Sequence, residues 1–155
     1  MSASKFKDSN IDWIGKIPSH WELIAFNRMC RPTRGQSPRP IDDPKYWDDD
    51  GEYGWGRISD VTRSRKYLKQ TRDYLTPLGK SKSLALEPGE LIISIAATVG
   101  VPSITDMKCC IHDGFVHFTG LGLDLDYVYN LLTVPEIFSK FGKKGTQTNI
   151  NSEII

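Results

Sequence analysis

The chain has 155 residues, 39% of them hydrophobic and 25% charged, with a formal net charge of +1. That length supports one hydrophobic core and is short for two, and the longest apolar run, Leu91–Ile95 with Ala96-Ala97, falls far below a membrane span. The opening MSASKFKDSN has no apolar stretch of the kind a secretory signal needs, and the three cysteines (Cys30, Cys109, Cys110) contain no C-x-x-C pair, so a cytoplasmic protein with reduced thiols is expected.

In chain order, Ile11–Trp21 (IDWIGKIPSHW) places apolar residues around a Gly-Lys turn and a proline, which predicts a short hairpin or tight arm. Trp21–Phe26 alternates enough for a strand. Further short strands are expected at Arg57–Val61, Ser83–Leu86, Leu91–Ile95, Val99–Ile104, Cys109–His112 and Phe115–Thr119, punctuated by Pro88-Gly89, Gly100, Pro102 and Asp113-Gly114. From Asp124 to Phe141 the apolar positions Leu125, Val128, Tyr129, Leu132, Ile137, Phe138 and Phe141 recur near helical spacing, with Asp124 as the cap. Pro135 predicts a break near Thr133–Pro135. The expected fold class is α+β: a single globular domain with a curled, mostly antiparallel β-sheet and one or two helices near the C-terminus.

Charge is segregated despite the neutral total. Between Tyr53 and Ser83 eight basic residues face only Asp60 and Asp73, whereas between Ile41 and Glu52 six acidic residues face only Lys45. A basic surface attracts phosphates through counterion release whatever the base sequence; a pair of solvated surfaces is the alternative. Thr33–Asp60, which includes the acidic run, reads as a polar loop containing Arg34, Gln36, Ser37 and Arg39, anchored by Tyr46-Trp47 and Trp55. Arginine and glutamine can each grip a base edge through two hydrogen bonds, and a surface connection is the competing reading. Two later loops divide the same way. Thr98, in Ala96-Ala97-Thr98-Val99-Gly100, sits where small side chains permit either a tight turn or close approach to DNA. Gly145–Asn149, with Thr146 and Gln147, is either a connector or a polar contact surface.

Catalytic constellations are sparse. Cys109, Cys110 and His112 fit no closed four-ligand zinc spacing, and Cys110 with His112 lacks a third group or oxyanion loop. Glu90 upstream of Asp106-Met107-Lys108 formally matches the carboxylate and D-x-K pattern of metal-dependent restriction endonucleases. That gives a Mg-dependent nuclease as the alternative function. No P-loop, dinucleotide fingerprint or N-P-P-Y motif occurs. A chain with no catalytic residues, no metal and no cofactor of its own is expected.

Six segments in order carry a family resemblance. Ile14-Gly15-Lys16-Ile17-Pro18-Ser19-His20-Trp21-Glu22 is similar to an opening G-x-I-P-x-H-W. Gly35-Gln36-Ser37-Pro38, Tyr46-Trp47 and Trp55-Gly56-Arg57-Ile58-Ser59-Asp60 follow a G-x-[ST]-P … YW … W-x-x-I-x-D progression. Thr76–Ser83, Pro88–Ser94 with Ala97–Gly100, and Gly145–Ile150 continue it. Together they resemble the target recognition domain of a type I restriction-modification specificity subunit, spanning residues 1–155.

The resemblance implies a non-catalytic module that reads one half of a split target in double-stranded DNA. A methyltransferase (modification) subunit then flips and methylates an adenine, and a restriction/translocase subunit moves and cuts the DNA. Base or groove contacts are expected from Arg34, Gln36, Ser37, Arg39, Arg57, Ser59, Thr98, Thr146 and Gln147, and phosphate contacts from Arg63, Arg65, Lys66, Lys80, Lys143 and Lys144. Trp47 and Trp55 are expected to support the loop from beneath, with Asp42–Glu52 pointing away from phosphate. Family members usually carry two such domains joined by long spacer helices, and this sequence holds one domain without a heptad-bearing spacer. A third possibility keeps the fold as a protein-docking module, with the acidic Ile41–Glu52 loop at the contact.

Overall fold

The computed structural model describes residues 5–142. Strands β1 (Phe6–Asp8) and β2 (Lys16–Pro18) pair antiparallel in a hairpin of their own. The hairpin expected within Ile11–Trp21 around Gly15-Lys16 is displaced: its first strand lies upstream at Phe6–Asp8, Lys16 opens the second strand, and the turn spans residues 9–15 with left-handed backbone at Asn10 and Gly15. Trp21–Phe26 forms no strand. Trp21, Leu23 and Ile24 are exposed, and the segment ends in a 3₁₀ turn at Phe26–Arg28. The next segment, β3 (Arg31–Arg34), is the one that joins a sheet, pairing with β11 (Phe115–Thr119).

After a 3₁₀ turn at Pro44–Tyr46, capped by the Asp43 carboxylate, come β4 (Tyr53–Gly56) and helix α1 (Ile58–Ser64). Arg57–Val61 is thus the start of a helix and not a strand. The Asp60 carboxylate reaches back to accept the Arg57 backbone N–H at 3.1 Å, and Val61 turns inward with no exposed surface. Then follow β5 (Tyr67–Leu68), β6 (Asp73–Leu75), α2 (Pro77–Ser81, capped by Thr76) and β7 (Leu84–Leu86). Next come β8 (Leu91–Ser94), β9 (Pro102–Thr105) and β10 (Cys109–Ile111). The strand expected from Val99 starts only at Pro102, because Gly100 (φ 83°) closes a turn by donating to the Ser94 carbonyl. Helices α3 (Leu125–Leu132) and α4 (Pro135–Gly142) are separated at the expected place, and the Asp124 carboxylate accepts from Tyr127 N–H at 2.8 Å.

The architecture is α+β, with most strand pairs antiparallel, arranged as two open sheets where one curled sheet was expected. One sheet has the order β6-β4-β10-β7 and the other β3-β11-β8-β9-β5; β4–β10 and β5–β9 are the parallel pairs. Strand alternation divides the apolar residues into layers. Leu91, Ile93 and Ile95 face α3, packing with Val116, Phe118, Val128 and Leu132. Ile92 and Phe115 face the other sheet, meeting Cys109, Ile111, Leu68 and Val61. Tyr53, Trp55, Leu75 and Cys110 form a third cluster on that sheet's outer side.

Candidate nucleic-acid interface

Topology gathers distant segments at one end of the two sheets, here called the tip. The parallel register of β4 and β10 sets Ile111 opposite Gly56, so Arg57 and His112 leave their strands on the same side. In the second sheet Phe115 pairs with Ser94 and Val116 with Arg34, so the end of β3, the end of β8 and the 112–114 turn converge there. Backbone bonds fix the convergence: Gly35 N–H donates to Phe115 O (2.9 Å), Gln36 N–H to Ile111 O (3.1 Å) and Ile95 N–H to Gly114 O (2.8 Å). The fit is close. A Cβ on Gly35 would lie 2.1 Å from the His112 carbonyl oxygen, a backbone atom with no side-chain freedom to yield.

Asp113, in the turn between β10 and β11, is the centre of the tip. Its carbonyl accepts from Arg34 Nε at 2.8 Å, and its carboxylate accepts from Ser37 Oγ at 3.3 Å and pairs with Arg39 Nη2 at 3.1 Å. The Arg39 side chain is 77% exposed and that of Asp113 46%. Pairs this wet contribute only about 0–1 kcal/mol, so exchanging the carboxylate for a phosphate or base edge costs little. Gln36 is exposed, and its side-chain amide has no protein partner among the described residues.

Beneath the turn lies an aromatic floor. Phe115 is fully buried, its ring 4.9 Å from that of His112, and Trp55, 3% exposed, lies 5.9 Å from His112 on the other side. Trp47 meets Trp55 edge to face at 6.0 Å and ties its indole N–H to the Ile41 carbonyl. Trp47 is thereby bonded to Ile41, and Trp55 packs between Trp47 and His112. His112 Nδ1 accepts from Gly114 N–H at 2.9 Å, which requires a neutral ring. Burial pushes its pKa below the usual 6.5; Asp113 opposes the shift and Arg57 adds to it.

The other expected contact residues divide by their partners. Arg57, half exposed, is held by Asp73 through Nε (2.9 Å) and Nη2 (2.7 Å), and Ser59 stands open on the first turn of α1. Arg63 pairs with Asp60, whose side chain is 1% exposed, so it balances a buried capping carboxylate. Arg65 is exposed, has no acidic partner among the described residues, and adopts φ 59°, ψ −114° at the end of α1. The parallel β5–β9 register, Tyr67 opposite Ile104, puts Arg65 beside the start of β9 and hence toward the tip. Thr98 is exposed in the 95–101 turn, which the Ile95 bond joins to Gly114.

Lys66 instead pairs with Asp126 at 2.9 Å and lies over Tyr129, tying β5 to α3. Lys80 lies at the opposite end, the foot, with Nζ 3.7 Å above the Tyr53 ring. There Asp48, Asp50 and Glu52 border a cleft of about 300 Å³. Glu52 pairs with Lys108, a hydrogen bond that lowers the carboxyl pKa and raises the ammonium pKa. Lys143, Lys144, Thr146 and Gln147 lie outside the described residues. Asp113 and His112 were missed as site residues by sequence reasoning, because Asp113-Gly114 reads as an ordinary hairpin turn.

The residues weighed for catalysis are engaged separately. Glu90 contacts His117 Nε2 at 2.7 Å, Asp106 lies 3.9 Å from Lys69, and Lys108 is taken by Glu52. Burial pushes the thiols of Cys109 and Cys110 up to about 12, far from a reactive thiolate. Among the described residues no group of three or more His, Cys, Asp or Glu is placed to hold a metal ion, and no helix is long and apolar enough to cross a membrane.

The same fold occurs in a restriction-modification assembly. A chain from a structure describing complex assembly and conformational transition of the type I R-M system aligns with 89% of this chain and 33% of its own, at TM-score 0.69 and 19% identity. More particularly, the HsdS subunit from Thermoanaerobacter tengcongensis aligns with 94% of this chain and 34% of its own, at TM-score 0.58 and 21% identity. At these identities the likeness is one of fold, and this chain spans about a third of the length of each. No family model matches the sequence.

Proposed function

We propose that the chain is a non-catalytic DNA sequence-recognition module of a type I restriction-modification specificity subunit. In this reading it contacts one half of a split target while a methyltransferase subunit and a restriction/translocase subunit supply the chemistry. The observation that carries it is the convergence of Arg34, Gln36, Ser37, Arg39 and Arg57 on one end of this fold. Their forks and amides suit base edges, while Arg65 suits phosphates. The acidic Asp48–Glu52 segment occupies the opposite end of β4, away from these arginines.

The test is binding of the full chain to duplex DNA over a salt series. Weak affinity that falls linearly in log–log form with rising salt is expected; binding indifferent to salt, or none at low salt, overturns the reading. In an assembled, active complex, replacing Gln36 and Arg39 should change which sequences are methylated. Incubation with plasmid and Mg²⁺ addresses the nuclease alternative: cleavage lost in Asp106→Ala would replace the proposal.

A further inference from the structure

Asp113 carries a negative charge in the middle of a surface read as facing polyanionic DNA. A carboxylate there weakens attraction for every phosphate nearby, so its placement calls for a compensating role. The geometry supplies one. Three side chains from one loop, Arg34, Ser37 and Arg39, each bond to Asp113, two through the carboxylate and one through the carbonyl. The backbone that carries the carboxylate is itself fixed. The 112–114 turn is pinned by Ile95 N–H on Gly114 O and by Gly114 N–H on His112 Nδ1, over the rings of Phe115 and Trp55. The loop backbone is pressed onto the same turn at Gly35 and Gln36.

We propose that Asp113 is a positioning residue for base readout. It aims the Arg39 fork and the Ser37 hydroxyl before DNA arrives and raises sequence discrimination at the expense of general affinity for DNA. This rests on the DNA-reading function above. A long exposed arginine without such a partner samples many rotamers and gives that freedom up on binding. Held against a carboxylate, it is biased toward one rotamer in advance, and the exposed pair exchanges readily for a base edge. Asp113 itself need touch no base.

The two sides of this trade move in opposite directions, which a purely structural role does not do. In Asp113→Asn the backbone carbonyl still receives Arg34 and the amide oxygen can still receive Ser37, but the charge that holds Arg39 is gone. The experiment selects a randomised duplex library on the full chain at low salt and sequences the bound fraction. It also measures affinity for the unselected library and the thermal transition of each variant.

Asp113→Asn is expected to lower enrichment at the base position read by Arg39 by about two- to fivefold, in line with an exposed pair of up to ~1 kcal/mol. Affinity for the unselected library should hold or rise, and the thermal transition should remain. Arg39→Ala should relax the same position, and adding Asp113→Asn to it should relax that position no further. Enrichment unchanged in Asp113→Asn, relaxation at a different position from Arg39→Ala, or an equal loss for all sequences overturns the positioning role alone. An unsubstituted chain that enriches no sequence overturns the DNA-reading function and this proposal with it.

Discussion

The tip and the foot of the four-stranded sheet lie about 10 Å apart along β4, at roughly 3.3 Å per residue, and both carry basic side chains. They use them differently. At the tip the cations are arginines, Arg34, Arg39 and Arg57, held in the open by Asp113 and Asp73. At the foot they are lysines: Lys80 lies over Tyr53, and Lys108 is paired with Glu52 among further carboxylates. A planar fork held at the surface is suited to bidentate recognition, whereas a lysine lying along an aromatic face gives packing and a point charge. Positive charge alone therefore does not mark the candidate interface; the partner of each charge does.

The largest test of this contrast removes the tip's support. Phe115→Ala deletes a fully buried ring and should cost about 3–5 kcal/mol of stability, read by chemical unfolding; a loss below about 1 kcal/mol would mean the tip does not rest on the core. Next comes the two-ended comparison. Arg39→Ala with Arg57→Ala should lower affinity for duplex DNA on the order of tenfold at moderate salt and flatten the salt slope by about 0.9 for each phosphate no longer neutralised. Lys80→Ala with Lys108→Ala should leave both unchanged, and equal effects from the two pairs would erase the distinction between the ends.

Arg65 sharpens the contrast in another way. Its left-handed backbone suits glycine, so Arg65→Gly should raise stability by about 1 kcal/mol while lowering DNA affinity. A variant both more stable and equally good at binding would remove Arg65 from the interface. The smallest effect concerns acid. Because the folded protein depresses the His112 pKa, the unfolded chain binds more protons as pH falls through 6.5, and stability falls with it. The contribution is fully present above that value. Thermal melts across this range should show a pH dependence that weakens in His112→Gln; an identical profile would show that the ring titrates freely.

Where local chemistry decides, the sequence was legible. Asp124 caps α3 and Pro135 restarts the chain as α4, both by interactions within a few residues. The apolar runs at Leu91 and Phe115 became central strands as expected. Arg57–Val61 was misread as a strand although Ile58 and Val61 stand three apart, a helical spacing, and a carboxylate three residues on from Arg57 caps a helix. Trp21–Phe26 misled because composition does not reveal which segment joins a sheet. Charge counting could not separate Arg57 from Lys66 or Lys80, since their partners come from other elements. Asp113 was invisible for the same reason: its three partners lie 74 to 79 residues away.

The order of strand pairing has a consequence for how the protein is made. β3 pairs with β11, β4 with β10 and β5 with β9, so the first half of the chain is nested within the second. During synthesis the early strands emerge with unpaired edges and must wait for residues beyond Pro102 before any of these three ladders can close. Closing them spans long loops whose entropy is given up before the ladders form, which sets folding in the slow millisecond-to-second range typical of non-local β proteins. Until then β4 can be covered on one edge only, by β6, and a nascent chain stalled before Pro102 keeps the other edge open to pairing with another chain.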